Sequence, residues 1–255
     1  MTRSLKNLLL LGGILAPMAA LGQAPAVAHF KAYAAKVPMH VVQIDPSRKD
    51  VFMGVITPAS GVGGKESWSR LIDRSHAVAA VTGTYFDTNS GLPTGTIGFG
   101  GQALYQGAIG TAFSFTPSTG GAISWAKPWT TFDFKGADMF LRAGPRLLTA
   151  GKTTLWPRDE GFKDPAVFAK KRRTAIAITK AGKVLLVTVA KEVRLRELAA
   201  ALKGIGAVDA MCLDGGSSAG MWYRGKSYLV PGRPLNNLIV VYETKKDYHR
   251  LIAMR

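Results

Sequence analysis

Val208-Asp209-Ala210-Met211-Cys212-Leu213-Asp214-Gly215-Gly216-Ser217-Ser218-Ala219-Gly220 runs an apolar segment into a carboxylate, two glycines and two hydroxyls. Asp209 is the only charged residue from Val208 to Leu213, so the segment reads as a largely buried strand. The Asp-Gly-Gly that follows demands a tight reversal tolerant of positive φ. Two readings of that reversal stand side by side. In the first it is a hairpin whose Asp214 caps the turn, because Asp-Gly is the strongest short hairpin signal. In the second, Asp214 and the bare amides after it form a catalytic or anion-binding turn.

Working outward, strand signals recur at Met39 to Ile44, Val51 to Ile56, Ala77 to Thr82, Ala112 to Phe115, Thr174 to Ile178, Lys183 to Val189, Met221 to Tyr223 and Leu238 to Tyr242. Helical periodicity is confined to Glu66 to Arg74 and to Arg194 to Lys203, the latter with Leu195, Leu198, Ala199 and Leu202 on one face and Gly204 as its C′ residue. Thr179-Lys180-Ala181-Gly182-Lys183 reads as a hairpin turn. The order strand, turn, strand, helix, strand, glycine turn, strand predicts an α+β fold: a single domain with a strand-rich mixed sheet and few helices. No linker, repeat or low-complexity tract divides it.

Arg3 and Lys6 precede the apolar stretch Leu8 to Leu15, and small residues follow at Ala20, Gly22, Ala24, Ala26 and Ala28. This pattern predicts a signal peptide over residues 1–28 and a domain from 29 to 255, with the protein exported to the periplasm or secreted. The stretch is too short to span a bilayer, which takes about 20 residues, so no stable membrane insertion is expected after cleavage. Removing Arg3 and Lys6 takes the formal net charge of +17 to +15. In an exported protein, such a balance points to phosphorylated or anionic glycans rather than nucleic acid, and no interleaving of aromatic and basic residues suggests strand binding. The Lys170-Lys171-Arg172-Arg173 run and the tail Lys245, Lys246, Arg250 and Arg255 read as solvated charge. Cys212, the single cysteine, has no disulfide partner within the chain and reads as a buried thiol.

Three literal motif matches compete with these readings. Gly220 to Ser227 spells a phosphate loop, but its interior is Met-Trp-Tyr-Arg and an extended Tyr-Leu-Val-Pro follows where a helix is required. Gly98-Phe99-Gly100-Gly101-Gln102-Ala103 imitates a dinucleotide fingerprint without a helix start, and reads as a glycine-rich loop or hairpin. Gly216-Ser217-Ser218-Ala219-Gly220 fits the nucleophile elbow and keeps a serine hydrolase with Ser218 as nucleophile open, although Met-Trp-Tyr follows it. His29, His40, His76 and His249 are scattered, so no metal site is expected and no cofactor is implied.

Four separated segments match one known pattern in order: Val81-Thr82-Gly83-Thr84-Tyr85-Phe86, Arg173-Thr174-Ala175-Ile176-Ala177, Leu213-Asp214-Gly215-Gly216-Ser217-Ser218 and Gly232-Arg233-Pro234-Leu235-Asn236-Asn237. The chain resembles the phosphodiester glycosidase family, whose animal "uncovering enzyme" removes N-acetylglucosamine from mannose-6-phosphate diesters. Thr82 and Cys212 depart from the Asn usual in the family at those places. The resemblance implies cleavage of the glycosidic bond of a sugar-1-phosphodiester. Asp214 and Arg173 would be catalytic; Thr82, Gly83, Tyr85, Phe86, Gly215, Gly216, Ser217, Ser218, Arg233 and Asn236 would bind substrate. Arg173 and Arg233 would clamp the phosphate bidentately, with further donors from the Gly215 and Gly216 amides. Asp214 would serve the oxocarbenium-like centre as nucleophile or as base for water. A non-catalytic binder of anionic glycans, using the same arginines, stays open at this stage.

Overall fold

The computed structural model describes residues 24–254 apart from 118 and 135. Residues 1–23, most of the expected signal peptide, lie outside them. In chain order the elements are β1 (Val27–Ala34), β2 (Val37–Ile44), β3 (Phe52–Ile56), α1 (Trp68–Ser75), β4 (Ala79–Thr82), β5 (Gly95–Phe99), β6 (Gln102–Ala108), β7 (Thr111–Thr116), β8 (Gly120–Ser124), β9 (Met139–Ala143), β10 (Arg146–Thr149), β11 (Lys152–Thr153), α2 (Pro165–Phe168), β12 (Lys171–Thr179), β13 (Val184–Val193), α3 (Leu195–Gly204), β14 (Ala207–Leu213), β15 (Met221–Tyr223), β16 (Lys226–Leu229), β17 (Leu238–Tyr242) and α4 (Lys245–Ala253). They build a seven-stranded sheet, β1-β2-β13-β12-β14-β10-β11, and two five-stranded sheets, β16-β15-β4-β17-β3 and β6-β5-β9-β7-β8.

The large sheet is the central layer, and alternation along its strands explains why they read as continuous apolar runs. Ile176, Val184, Leu186, Met211 and Leu213 enter one core, shared with both small sheets and α1. Their neighbours Ala175, Ala177, Leu185, Val187, Ala210 and Cys212 enter a second core, covered by Leu198, Ala199 and Leu202 of α3. A strand buried on both faces has no polar side to show. Cys212 is the buried thiol expected, and burial pushes its pKa up to about 12.

Three expectations need correction. The sheets are antiparallel in every strand pairing described, not mixed. The connection β13-α3-β14 does return a strand parallel to β13, but it lands beyond β12, and both pair with β12 instead of each other. Gly204 is the last residue of α3; Gly206 takes the left-handed conformation at φ 88°, while a Cβ on Gly204 would lie 2.7 Å from the Ala34 Cβ. The Asp-Gly-Gly turn is not a hairpin, because β14 and β15 belong to different sheets and the turn carries the chain between them.

The phosphate-loop mimic is the β15-β16 hairpin, turned at Arg224 and Gly225 with φ 42° and 83°. The dinucleotide mimic is likewise the β5-β6 hairpin, turned at Gly100 and Gly101. Lys245, Lys246 and Arg250 of the cationic tail fall in α4, capped by the Thr244 hydroxyl accepting from the Asp247 amide, with Tyr248 and Leu251 buried and the lysines exposed; Arg255 lies outside the described residues.

Candidate active site

The four separated segments meet where β4 and β14 end and β12 begins. The Asp214 amide donates to the Gly83 carbonyl at 2.9 Å, and the Gly232 amide to the Ser217 carbonyl at 2.7 Å. The Thr82 hydroxyl donates to the Ser218 carbonyl at 2.6 Å, and the Thr84 amide to Asn237 Oδ1 at 2.8 Å. A Cβ on Gly83 would collide with that same Asn237 oxygen, so the close approach needs glycine. Gly215 serves likewise: its Cβ would lie 2.7 Å from the Arg172 carbonyl of β12. Gly216 has φ 60° and opens the short 3-10 turn Gly216–Ser218.

Above this knot lies a cleft of about 640 Å³. Tyr85, Phe86, Arg173, Asp214, Gly215, Gly216, Ser217 and Arg233 line it. Thr82, Gly83, Ser218 and Asn236 do not; they stand behind it. Ser218 is fully buried, with its Oγ accepting from Arg233 Nε at 2.7 Å, and Asn236 donates to the Gly91 carbonyl at 2.9 Å.

Asp214 is only 5% exposed. Its Oδ1 accepts from the Gly215 amide at 2.8 Å, so that amide is already engaged, and Oδ2 lies 3.5 Å from Arg233 Nη2. Burial raises its pKa to about 6, against the lowering effect of Ser218, the Arg233 charge and the Gly215 amide. A carboxylate tuned toward neutrality at the floor of a cleft is suited to proton transfer or to stabilising positive charge. Arg233 spans the site: its guanidinium stacks 4.8 Å from the centre of the Phe86 ring, and a third of its side chain stays open to solvent.

Arg173 is arranged differently. It is 4% exposed, and its Nε donates to the Val193 carbonyl at 3.2 Å while Nη2 donates to the carbonyls of Val167, at 3.0 Å, and Ala169. The side chain therefore ties α2, which forms one cleft wall through Ala166 and Val167, to the end of β13. Tyr85 donates to the Gly144 carbonyl at 2.7 Å and meets Phe162 edge-on, and burial holds its hydroxyl well above the ordinary pKa.

Sequence reasoning missed the remaining cations of the cleft, Lys163, Lys171 and Arg172, of which the last two had been read as solvated charge. It also missed Glu160, buried behind the wall residues Gly161 and Phe162, whose carboxylate accepts from the Arg146 amide and the Thr111 hydroxyl. No local motif marks these residues.

The profile of the phosphodiester glycosidase family matches residues 75–242, which include all four segments at the cleft. The chain belongs to the phosphodiester glycosidase family. Its fold is that of a Synechocystis protein of unnamed function, with a TM-score of 0.74 at 14% identity over 86% of this chain; the match spans 64% of that protein's length. The zebrafish N-acetylglucosamine-1-phosphodiester alpha-N-acetylglucosaminidase catalytic domain, solved as auto-inhibited by its pro-peptide, has a TM-score of 0.70 at 19% identity, with 87% of this chain and 85% of that one covered. A Burkholderia pseudomallei protein is more distant, with a TM-score of 0.54 at 17% identity over 81% of this chain and 74% of its own. No curated protein matches the sequence. These identities carry the fold; the family profile carries membership.

Proposed function

We propose that this phosphodiester glycosidase hydrolyses the glycosidic bond of a sugar-1-phosphodiester, releasing the sugar and a phosphate monoester. The observation that carries the reading is the buried Asp214 carboxylate beside Arg233 in a cleft rimmed by Lys163, Lys171 and Arg172. A phosphate monoester is a good leaving group, so its departure calls for charge stabilisation more than for protonation. Arg233 supplies that charge beside Asp214, the rim cations being set among the carboxylates of Asp87, Asp164 and Glu192, while Asp214 faces the anomeric carbon as nucleophile or as base for water. The name of the zebrafish relative specifies N-acetylglucosamine; for this chain the reading extends to the class of bond and not to the sugar.

Hydrolysis in heavy-oxygen water separates this reading from attack at phosphorus. Label is expected on the anomeric hydroxyl of the released sugar, read by mass spectrometry, and label in the phosphate overturns the glycosidase reading.

The serine hydrolase reading loses ground on geometry. Ser218 Oγ is buried, held by Arg233 and outside the cleft lining, and none of the four histidines lines the cleft to act as its base.

If Asp214 acts ionised, kcat/KM rises with pH through an acidic limb near the raised pKa of about 6. Arg233 favours the charged carboxylate, so Arg233→Gln is expected to move the limb to higher pH as well as weaken substrate binding. A limb that stays in place in the variant detaches Arg233 from Asp214.

Export is part of the same proposal, resting on the pattern of residues 1–28. An earlier boundary than residue 28 is proposed because β1 begins at Val27 with Ala26 and Val27 buried and the Asp45 amide donating to the Ala26 carbonyl at 2.8 Å. Cleavage after Ala28 would strip a core residue, so the mature terminus, read by intact mass, is expected upstream of Ala26. A mature protein starting at His29 contradicts this.

A further inference from the structure

We propose that a second concavity, beneath Trp129, is a carbohydrate subsite adjoining the catalytic cleft and takes neutral sugar residues of a glycan carried beyond the phosphate. In linking the two sites this rests on the activity proposed above. The concavity measures about 540 Å³. Thr94 lines the catalytic cleft and Thr96 lines the second site. The two sites therefore adjoin along one short segment, since the Cα atoms of residues two apart lie within about 7 Å of each other. The opposing segment also borders both sites, since Ile109 lines the first and its neighbour Ala108 the second, with the amides of both donating to the Thr94 carbonyl.

Trp129 is the unusual residue. The residue is 73% exposed and its backbone has φ 63°, a region costly for a bulky side chain. Packing does not repay this cost, because the indole is not buried. The loop is nevertheless held firmly: Arg142, fully buried in β9, donates to the carbonyls of Lys127 at 3.0 Å and Thr130 at 2.8 Å, on either side of Trp129, and to that of Gly110 at 3.3 Å. The Trp129 amide donates to the Ala108 carbonyl at 2.8 Å. An exposed aromatic plate fixed by a buried guanidinium is preorganised to receive a ligand.

The lining decides the ligand class. Phe134, stacked on Phe140 at 4.3 Å, adds apolar surface, while the exposed Gln106 and Thr131 offer hydrogen-bonding groups. Among the described lining residues there is no charged side chain, whereas the catalytic cleft is lined by five cations and four carboxylates. Aromatic faces with a few amides and hydroxyls suit the C–H faces and hydroxyls of an uncharged sugar, not a phosphate.

The test uses the full domain and two readouts. Binding of trimers of N-acetylglucosamine, glucose and mannose is measured by isothermal titration calorimetry, and sugar-1-phosphodiesters bearing either a methyl group or a trisaccharide beyond the phosphate are compared as substrates. Binding of at least one trimer is expected at millimolar concentration, weakened at least tenfold in Trp129→Gly and less in Trp129→Phe. The ratio of kcat/KM for the trisaccharide-bearing substrate over the methyl one is expected to fall at least tenfold in Trp129→Gly. Glycine accepts positive φ, so the melting temperature of that variant is expected to hold or rise, which separates lost binding from lost folding. No trimer binding, or binding indifferent to Trp129, overturns the subsite. A wild type that binds a trimer through Trp129 but cleaves neither substrate overturns the proposed activity and leaves the subsite standing.

Discussion

Asp214→Asn is expected to lower kcat/KM on a sugar-1-phosphodiester by 10²-fold to 10⁴-fold, the range typical of a group that moves a proton or carries charge in the transition state. The amide is nearly isosteric and still offers an oxygen to the Gly215 amide, so the turn survives. Stability moves the other way. Because burial holds the Asp214 pKa near 6, above the unfolded carboxylate value of 3.8, the folded state binds its proton more tightly than the unfolded state does. The sign follows: this residue favours folding at low pH, and the contribution is lost as pH rises through 6. Keeping the carboxylate ionised above that pH costs about 3 kcal/mol. The variant is therefore expected to melt no lower than the wild type at pH 7.5, by calorimetry, while nearly inactive. A variant that unfolds early and retains activity in its folded fraction would make Asp214 a cap and nothing more.

Arg173→Lys is expected to act on the scaffold first. The lysine keeps the charge but has one nitrogen for the three carbonyls of Val193, Val167 and Ala169. Losing two such charge-assisted bonds costs about 3 kcal/mol, since each is worth about 1.5 kcal/mol or more. In a domain of this size that lowers the melting temperature by about 6 to 12 °C. Activity falls as well, because α2 carries one wall of the cleft. Lys171→Ala, at a half-buried position one register bulge away, is expected to change stability by less than about 0.5 kcal/mol and to affect mainly the salt dependence of turnover. If Arg173→Lys instead melts like the wild type and loses only substrate affinity, its guanidinium faces the phosphate and the clamp role applies to it as it does to Arg233.

The contrast between the two arginines shows what a sequence can and cannot reveal. Both stand in segments that the family resemblance singled out, and both reach the cleft. Whether a guanidinium meets ligand or backbone depends on carbonyls 4, 6 and 20 residues away for Arg173, and on a hydroxyl 15 residues away for Arg233. No spacing rule encodes those partners. Asp214 was legible because its signal is local: a buried strand that stops at Asp-Gly-Gly forces a turn whatever the rest of the chain does.

The same distinction holds for the fold. The apolar runs of β2, β12, β13, β14 and β17 were readable because strands buried on one or both faces must be apolar over their length. β6, β8 and β11, exposed along much of their length, and the glycine-bearing β5 were not, because exposed or glycine-rich strands owe their existence to the neighbours that complete their hydrogen bonds. By itself the sequence determined the strand-rich domain, the buried thiol of Cys212 and the turn that places Asp214. Tertiary structure alone decided that this turn crosses between sheets, that Arg173 braces α2, and that Arg142 holds Trp129 out to solvent. Each of these rests on hydrogen-bond pairings that no local spacing rule encodes, and desolvation on folding is what makes such pairings obligatory.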